Sequence, residues 1–137
     1  MRYLFLLYWA TPFSFAVNAE LKADHHKSPI LRTDPKPKPK VYYGIASYYA
    51  DKFNGRPTAN GEIYTHKKLT AACNVLPLGT WIRVTNLKNN KSVIVKTNDR
   101  LHPRMKRIVD LSRSAAEKLA YTARGLTQVK VEIIEKD

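Results

Sequence analysis

The chain of 137 residues has little cysteine, histidine, glycine or acid. Cys73 is its one cysteine, which excludes an internal disulfide framework and a multi-cysteine metal centre. There are four histidines, and two of them, His25 and His26, are adjacent in a polar stretch. No metal and no cofactor are therefore expected. Eleven Asp and Glu face 24 Lys and Arg, a net charge of +13. That excess draws the protein to an anionic partner and says nothing about fold. The basic residues are scattered rather than set along one helix, and no nucleic-acid motif accompanies them, so no nucleic acid is expected. Long hydrophobic runs are absent too: the apolar stretch Tyr3–Ala10 is broken at Pro12, too soon to span a bilayer well. The length leaves room for one domain and a tail, not for a two-lobed cofactor enzyme.

What is present divides the chain in three. Residues 1–19 pair Arg2 with a short apolar run and end on Val17-Asn18-Ala19, small residues at −3 and −1 of a cleavage point. This is the layout of a signal peptide. The expected product is exported, periplasmic or wall-associated, with no cysteine for lipid attachment near the cut and no stable membrane insertion afterwards. An uncleaved anchor is the alternative. Residues 20–40 carry Pro29, Pro35, Pro37 and Pro39 among lysines and read as an extended, disordered linker.

From Val41 the pattern becomes that of a folded domain, 41–137. Val41–Tyr49 is β-branched and aromatic, and Thr80–Asn86 and Lys91–Asn98 alternate in strand fashion. Asn89-Asn90 suits a tight hairpin between them. Leu69–Cys73 is a short apolar run, and Arg107–Leu111 and Gln128–Ile134 are further strand candidates. Gly55, Pro57, Asn60 and Gly61 make 50–68 a long loop. One helix is expected near Ser112–Ala123, capped by Ser112 or Ser114, the latter at capping-box spacing from Glu117, and stopped by Gly125. Short strands around one helix predict a mainly β protein built as a small barrel.

Four of the eleven carboxylates stand apart from tail, terminus and helix: Asp51, Glu62, Asp99 and Asp110. Asp99 ends a strongly apolar strand, a rigid platform for chemistry, and Arg100 beside it is placed to hold an acid or tune the carboxyl. Glu62 follows the Asn60-Gly61 turn. Asp110 precedes the helix, where an acid accepts backbone N–H bonds, a structural use. An exported enzyme without a metal, a serine-nucleophile motif or a cofactor loop has few reactions open to it. Glycan cleavage is one, since a single protonated carboxylic acid can drive departure of a glycosidic oxygen.

Seven blocks, Gly44–Tyr49, Gly55–Glu62, Leu69–Ala72, Leu76–Thr80, Val84–Leu87, Asn98-Asp99-Arg100 and Ile108–Ser112, resemble in order the rare lipoprotein A (RlpA) family. The resemblance implies a six-stranded double-psi β-barrel with one short helix. It also implies an endolytic lytic transglycosylase that acts on peptidoglycan, preferring strands without stem peptides. Asp99 matches the family's catalytic aspartate and Glu62 its site glutamate. Tyr49, Thr58, Asn60, Cys73, Asn98 and Arg100 fall at site positions read as substrate-binding, and a monomer is expected. Tyr48, Phe53, Tyr64 and Trp81 join Tyr49 as candidates for sugar stacking. The positive charge suits a wall whose stem peptides bear carboxylates. Two departures stand out. Cys73 replaces a usual histidine and reads as a small buried residue. Leu101-His102-Pro103 replaces a Gly-Pro sequence, and His102 is a candidate substitute for the missing imidazole. A glycan-binding barrel without catalysis, of expansin-like type, is the alternative reading.

Overall fold

The computed structural model describes Pro35 and residues 37–136. The expected signal peptide, and the expected linker up to residue 34, lie outside the described residues. Six strands form: β1 (Val41–Tyr48), β2 (Thr70–Cys73), β3 (Trp81–Asn86), β4 (Ser92–Asp99), β5 (Val109–Leu111) and β6 (Thr127–Ile133). One helix, α1 (Arg113–Lys118), stands between β5 and β6. The strands close into a barrel in the order β1-β5-β2-β4-β3-β6. The β1–β5 and β2–β4 pairs run parallel and the other four antiparallel.

Alternation explains the closure. Ile82 and Val84 on β3, Val93 and Val95 on β4, and Val129 and Val131 on β6 all point inward and are buried. Leu111, Val109, Ala115, Ala116 and Leu119 complete the same aliphatic cluster. Burying a side chain of this kind contributes roughly 1.5–3 kcal/mol. The β1–β5 seam also needs Gly44. A Cβ there would stand 2.8 Å from both Cβ and Cγ2 of Ile108, so no larger residue fits without movement.

The hairpin between β3 and β4 is wider than a two-residue turn. Its last ladder pair is Thr85 with Ser92, the Asn86 N–H donates to Lys91 C=O, and only Asn90 takes positive φ, at 59°. The helix is shorter than its sequence suggests. Ser112, not Ser114, caps it, its hydroxyl accepting from the Ala115 N–H; Ser114 Oγ instead donates to the Lys67 carbonyl at 3.1 Å. Its end comes well before Gly125. Ala120 adopts φ 56°, its N–H donates to Glu117 C=O, and the Tyr121 N–H reaches back to Ala116 C=O. That is a Schellman closure with alanine where glycine is usual.

Candidate active site

The loop between β1 and β2 is not irregular throughout. Gly55 N–H donates to Tyr64 C=O, Tyr64 N–H to Arg56 C=O, and Thr58 N–H to Glu62 C=O, so residues 55–64 form a small ribbon. Its tip is fastened by its own polar side chains. Asn60 Oδ1 accepts from Thr58 Oγ1 at 2.6 Å and from the Glu62 N–H at 3.0 Å. Gly61 turns the chain at φ 89°, a conformation that other residues rarely adopt. The tip then docks on the end of β4: Asn60 N–H donates to Asn98 C=O at 3.2 Å, and Ala59 N–H to Asp99 Oδ1 at 2.9 Å.

The end of β4 carries an irregularity that the residue pattern does not announce. Ala71 pairs with Thr97, but the next residue of β2, Ala72, pairs with Asp99. Asn98 is thus an extra residue on β4, a bulge. Such bulges re-aim the side chains that follow them. The result is that Asp99 is half-buried at the barrel lip while Asn98 is buried and reaches sideways to Glu62.

Three donors meet the Asp99 carboxyl. Tyr49 Oη donates to Oδ2 at 2.5 Å, and the N–H groups of Ala59 and Arg100 donate to Oδ1 at 2.9 and 2.8 Å. Tyr49 is buried, its ring stacked on Tyr64 with centroids 4.1 Å apart. Burial, and next the hydrogen bond to Asp99, push the Tyr49 phenol far above its ordinary value, so it stays a neutral hydroxyl. Glu62 is placed differently. Asn60 Nδ2 donates to Oε1 at 2.8 Å and Asn98 Nδ2 to Oε2 at 3.3 Å. These bonds, the Asn60 bond first, hold the Glu62 carboxyl below its usual range, with Lys96 and Lys68 adding Coulombic pull. Asn98 Oδ1 is buried without a hydrogen-bond partner.

The fold brings Asp99, Glu62, Tyr49, Thr58, Asn60 and Asn98 together, but gives them unequal parts. Thr58 and Asn60 bond to one another and shape the tip. Arg100 points away from Asp99: its Nη1 donates to the carbonyls of Cys73 and of Leu76, pinning the turn after β2 against β4. Cys73 has no exposed surface and belongs to the aliphatic core, so its side chain offers nothing to a glycan. Asp110 bonds to Ser47 Oγ at 2.6 Å and lies 3.8 Å from Arg107, in the β1–β5 seam, rather than accepting from the helix backbone. His102 is exposed, and its Nδ1 accepts from the Arg104 N–H. Of the stacking candidates, Tyr64 is buried beneath Tyr49, and Lys136 Nζ sits 3.9 Å from the centroid of Trp81.

Leu101 resolves one departure. Among the described residues only Asn90 and Ala120 combine a side chain with positive φ, so the backbone at 101 asks for nothing that glycine alone supplies. Leu101 is buried against Tyr49 and Tyr64, and Asn74 clamps it on both sides, Nδ2 donating to its carbonyl and Oδ1 accepting its N–H. Tyr49, expected among the substrate-binding residues, meets Asp99 through its hydroxyl. The sequence marked it as an aromatic just past β1 and as part of the block Gly44–Tyr49, but not its bond to Asp99. Among the described residues no three His, Cys, Asp or Glu side chains converge on a metal site, and no helix is long and apolar enough to cross a membrane.

A family model described as lytic transglycolase matches residues 42–131. Among curated proteins, the endolytic peptidoglycan transglycosylase RlpA of Haemophilus influenzae is 45% identical over 97 residues, 71% of this chain and 34% of that one. Its Pseudomonas aeruginosa namesake is 52% identical over 92 residues, 67% of this chain and 27% of its own. The Vibrio cholerae protein of that name is 38% identical over 126 residues, 92% of this chain and 47% of its own. The chain thus spans about a third of the length of the first relative, about a quarter of the second and about half of the third. Among solved structures, a Streptomyces papain inhibitor superposes with TM-score 0.57 at 21% identity, covering 72% of this chain and 98% of its own. An expansin from Clavibacter michiganensis superposes with TM-score 0.55 at 18% identity, covering 72% and 52%. These two establish likeness of fold alone. The matched barrel, with the acid pair at its lip, places this chain in the lytic transglycolase family of double-psi β-barrels.

Proposed function

We propose that this chain is an exported, monomeric lytic transglycosylase that cuts peptidoglycan glycan strands, with Asp99 as its acid and base. The observation that carries the reading is the contrast between two carboxyls at one barrel lip. Glu62 is held ionised by two amide donors, so it is unsuited to give a proton. Asp99 also meets two backbone N–H donors, but its Oδ2 faces the Tyr49 hydroxyl, a partner that fits the carboxylate and the carboxylic acid alike. A hydroxyl donates to the carboxylate and turns to accept from the carboxylic acid.

The cycle balances without water. Protonated Asp99 gives its hydrogen to the oxygen between N-acetylmuramic acid and N-acetylglucosamine, and the bond from that oxygen to the muramyl anomeric carbon breaks. The Asp99 carboxylate then takes the proton of the muramyl 6-hydroxyl, whose oxygen bonds to the anomeric carbon as a 1,6-anhydro ring. The acid is thereby regenerated. Positive charge develops on the sugar as the bond parts, and the fixed anion of Glu62 suits it. Strands without stem peptides are the proposed preferred substrate, in line with the family resemblance.

The test is incubation of the protein, without residues 1–19, with peptide-free glycan strands, followed by mass spectrometry for anhydromuramyl ends. Asp99→Asn is expected to lose activity by about 10²–10⁴ while keeping the fold, the span of general acid–base catalysis. Products undiminished in that variant would remove Asp99 from its role. The alternative, a glycan-binding barrel without chemistry, draws support from the replacement of a family histidine by the buried Cys73. It predicts strand binding with no anhydromuramyl product.

A further inference from the structure

One hollow among the described residues is lined by neither Asp99 nor Glu62. It is a groove of about 1440 Å³ on the outer face of the barrel, where β3, β4 and β6 meet the segments on either side of the barrel. Its floor is apolar, built from Trp81, Ile94 and Ile133. Its rim is basic. Lys38, Lys40, Lys68, Arg83, Lys96 and Lys136 line it, with Glu135 as the acid among the lining residues. Both Lys96 and Lys136 lie over the Trp81 ring, at 5.8 and 3.9 Å from its centroid. An ammonium held by one face of a ring keeps N–H donors for a second partner. The Lys40 carbonyl accepts from the Ile133 N–H, so the wall that follows the Pro-Lys stretch is tied to the sheet.

An apolar floor inside a lysine rim selects a ligand that is both anionic and partly apolar. Position narrows the choice. Lys96 precedes Asp99 by three residues on one strand, about 10 Å along β4. The same two lysines, Lys96 and Lys68, act electrostatically on Glu62. The groove and Asp99 thus share β4. A bare strand across Asp99 leaves that rim open to the peptides of neighbouring strands.

We propose that this groove is a docking site for an acidic peptide, namely the carboxylate-bearing stem peptides of peptidoglycan. It would hold the protein on peptide-bearing wall while the acid pair works on bare strands. The choice of peptide rests on the transglycosylase reading, but the binding itself is read without catalysis.

The experiment titrates isotope-labelled protein, lacking residues 1–19, with an N-acetylated stem tetrapeptide that carries no sugar. The Trp81 indole N–H and the amides of 81–83 and 94–96 are expected to shift saturably. The affinity is expected to fall as salt is raised, because the rim is exposed. A Lys40→Glu/Lys136→Glu double variant is expected to weaken the peptide about tenfold. It is expected to keep its rate on peptide-free strands and to lose retention on peptide-bearing sacculi. No shift at Trp81, or undiminished affinity in the double variant, overturns the proposal. So does a groove that ignores the peptide and responds to phosphatidylglycerol vesicles, which would make it a lipid contact. Peptide binding that persists in a protein yielding no anhydromuramyl products would sink the enzymatic reading and leave the groove intact.

Discussion

The barrel interior and the aromatic nest under Asp99 are built on different terms. Inside the barrel, side chains such as Ile82, Val84, Val95 and Val131 are fully buried and carry no polar atom. Shape and ladder register hold them. In the nest, Tyr49, Tyr64, Ala72 and Leu101 pack together, with Phe53 against them, and the tyrosines bring hydroxyls that must be satisfied. Tyr49 answers to Asp99, while the Tyr64 hydroxyl lies 2.9 Å from His66 Nδ1 and accepts from the Arg113 N–H. His66 in turn meets Asp51, which pairs with Arg113 at 3.0 Å. The interior thus tolerates exchange of one apolar group for another of like volume. The nest does not, because each ring fixes an orientation as well as a space.

Substitutions can separate the two regimes. The largest loss of stability is expected inside the barrel. Ile82→Ala leaves a cavity under a closed sheet and costs about 2–5 kcal/mol, read as a lowered midpoint in chemical unfolding. Tyr49→Phe keeps the ring and its stack on Tyr64, and removes only the hydroxyl. Stability is expected to fall by about 1 kcal/mol, whereas kcat on glycan strands falls roughly ten- to hundredfold, because Asp99 loses the partner that fits both its states. A rise in KM of that size with kcat unchanged would make Tyr49 a binding residue instead.

Smaller effects probe the fastenings. The Glu62 carboxyl titrates lower in the folded chain than in the unfolded one. Its contribution is therefore complete above the ordinary carboxylate value near 4.3 and is lost as pH falls through the depressed folded value. Glu62→Gln is expected to flatten the acid limb of the unfolding temperature against pH, by lowering it slightly at neutral pH and leaving it unmoved below the depressed folded value. The smallest change is expected at the helix end. Ala120 holds φ 56° in a closure that glycine fills without strain. Ala120→Gly is expected to stabilise by about 0.5 kcal/mol, the relief of a left-handed alanine offset by the freer unfolded chain, seen as a slight rise in melting temperature.

The strands were legible because alternation and burial are the same fact seen twice. Val93 and Val95, or Val129 and Val131, could face only inward. The acids at the lip were narrowed to four by position, and the family motifs then ranked Asp99 and Glu62 first. What escaped was decided by backbone geometry that residue identity does not encode. Nothing in Thr97-Asn98-Asp99 announces that Asn98 is the extra residue of a bulge. Nothing in Lys118–Tyr121 announces that an alanine will take the left-handed turn and end α1 well before Gly125. Arg100, read as a substrate contact from its neighbourhood, spends its Nη1 on two carbonyls of the chain, because the turn after β2 leaves them facing it. Asn60 likewise found its partner within its own loop, and Ser114, expected as a cap, reaches the Lys67 carbonyl instead.

The closing strand carries a consequence for how the protein is made. β6 lies between β1 and β3, pairing Val41 with Glu132 and Asn86 with Val129. Until Thr127–Ile133 has been synthesised, β1 and β3 each keep a bare row of backbone donors and acceptors. No shorter chain can seal the ring, so a growing polypeptide stays open, and exposed to mispairing, until its final strand arrives.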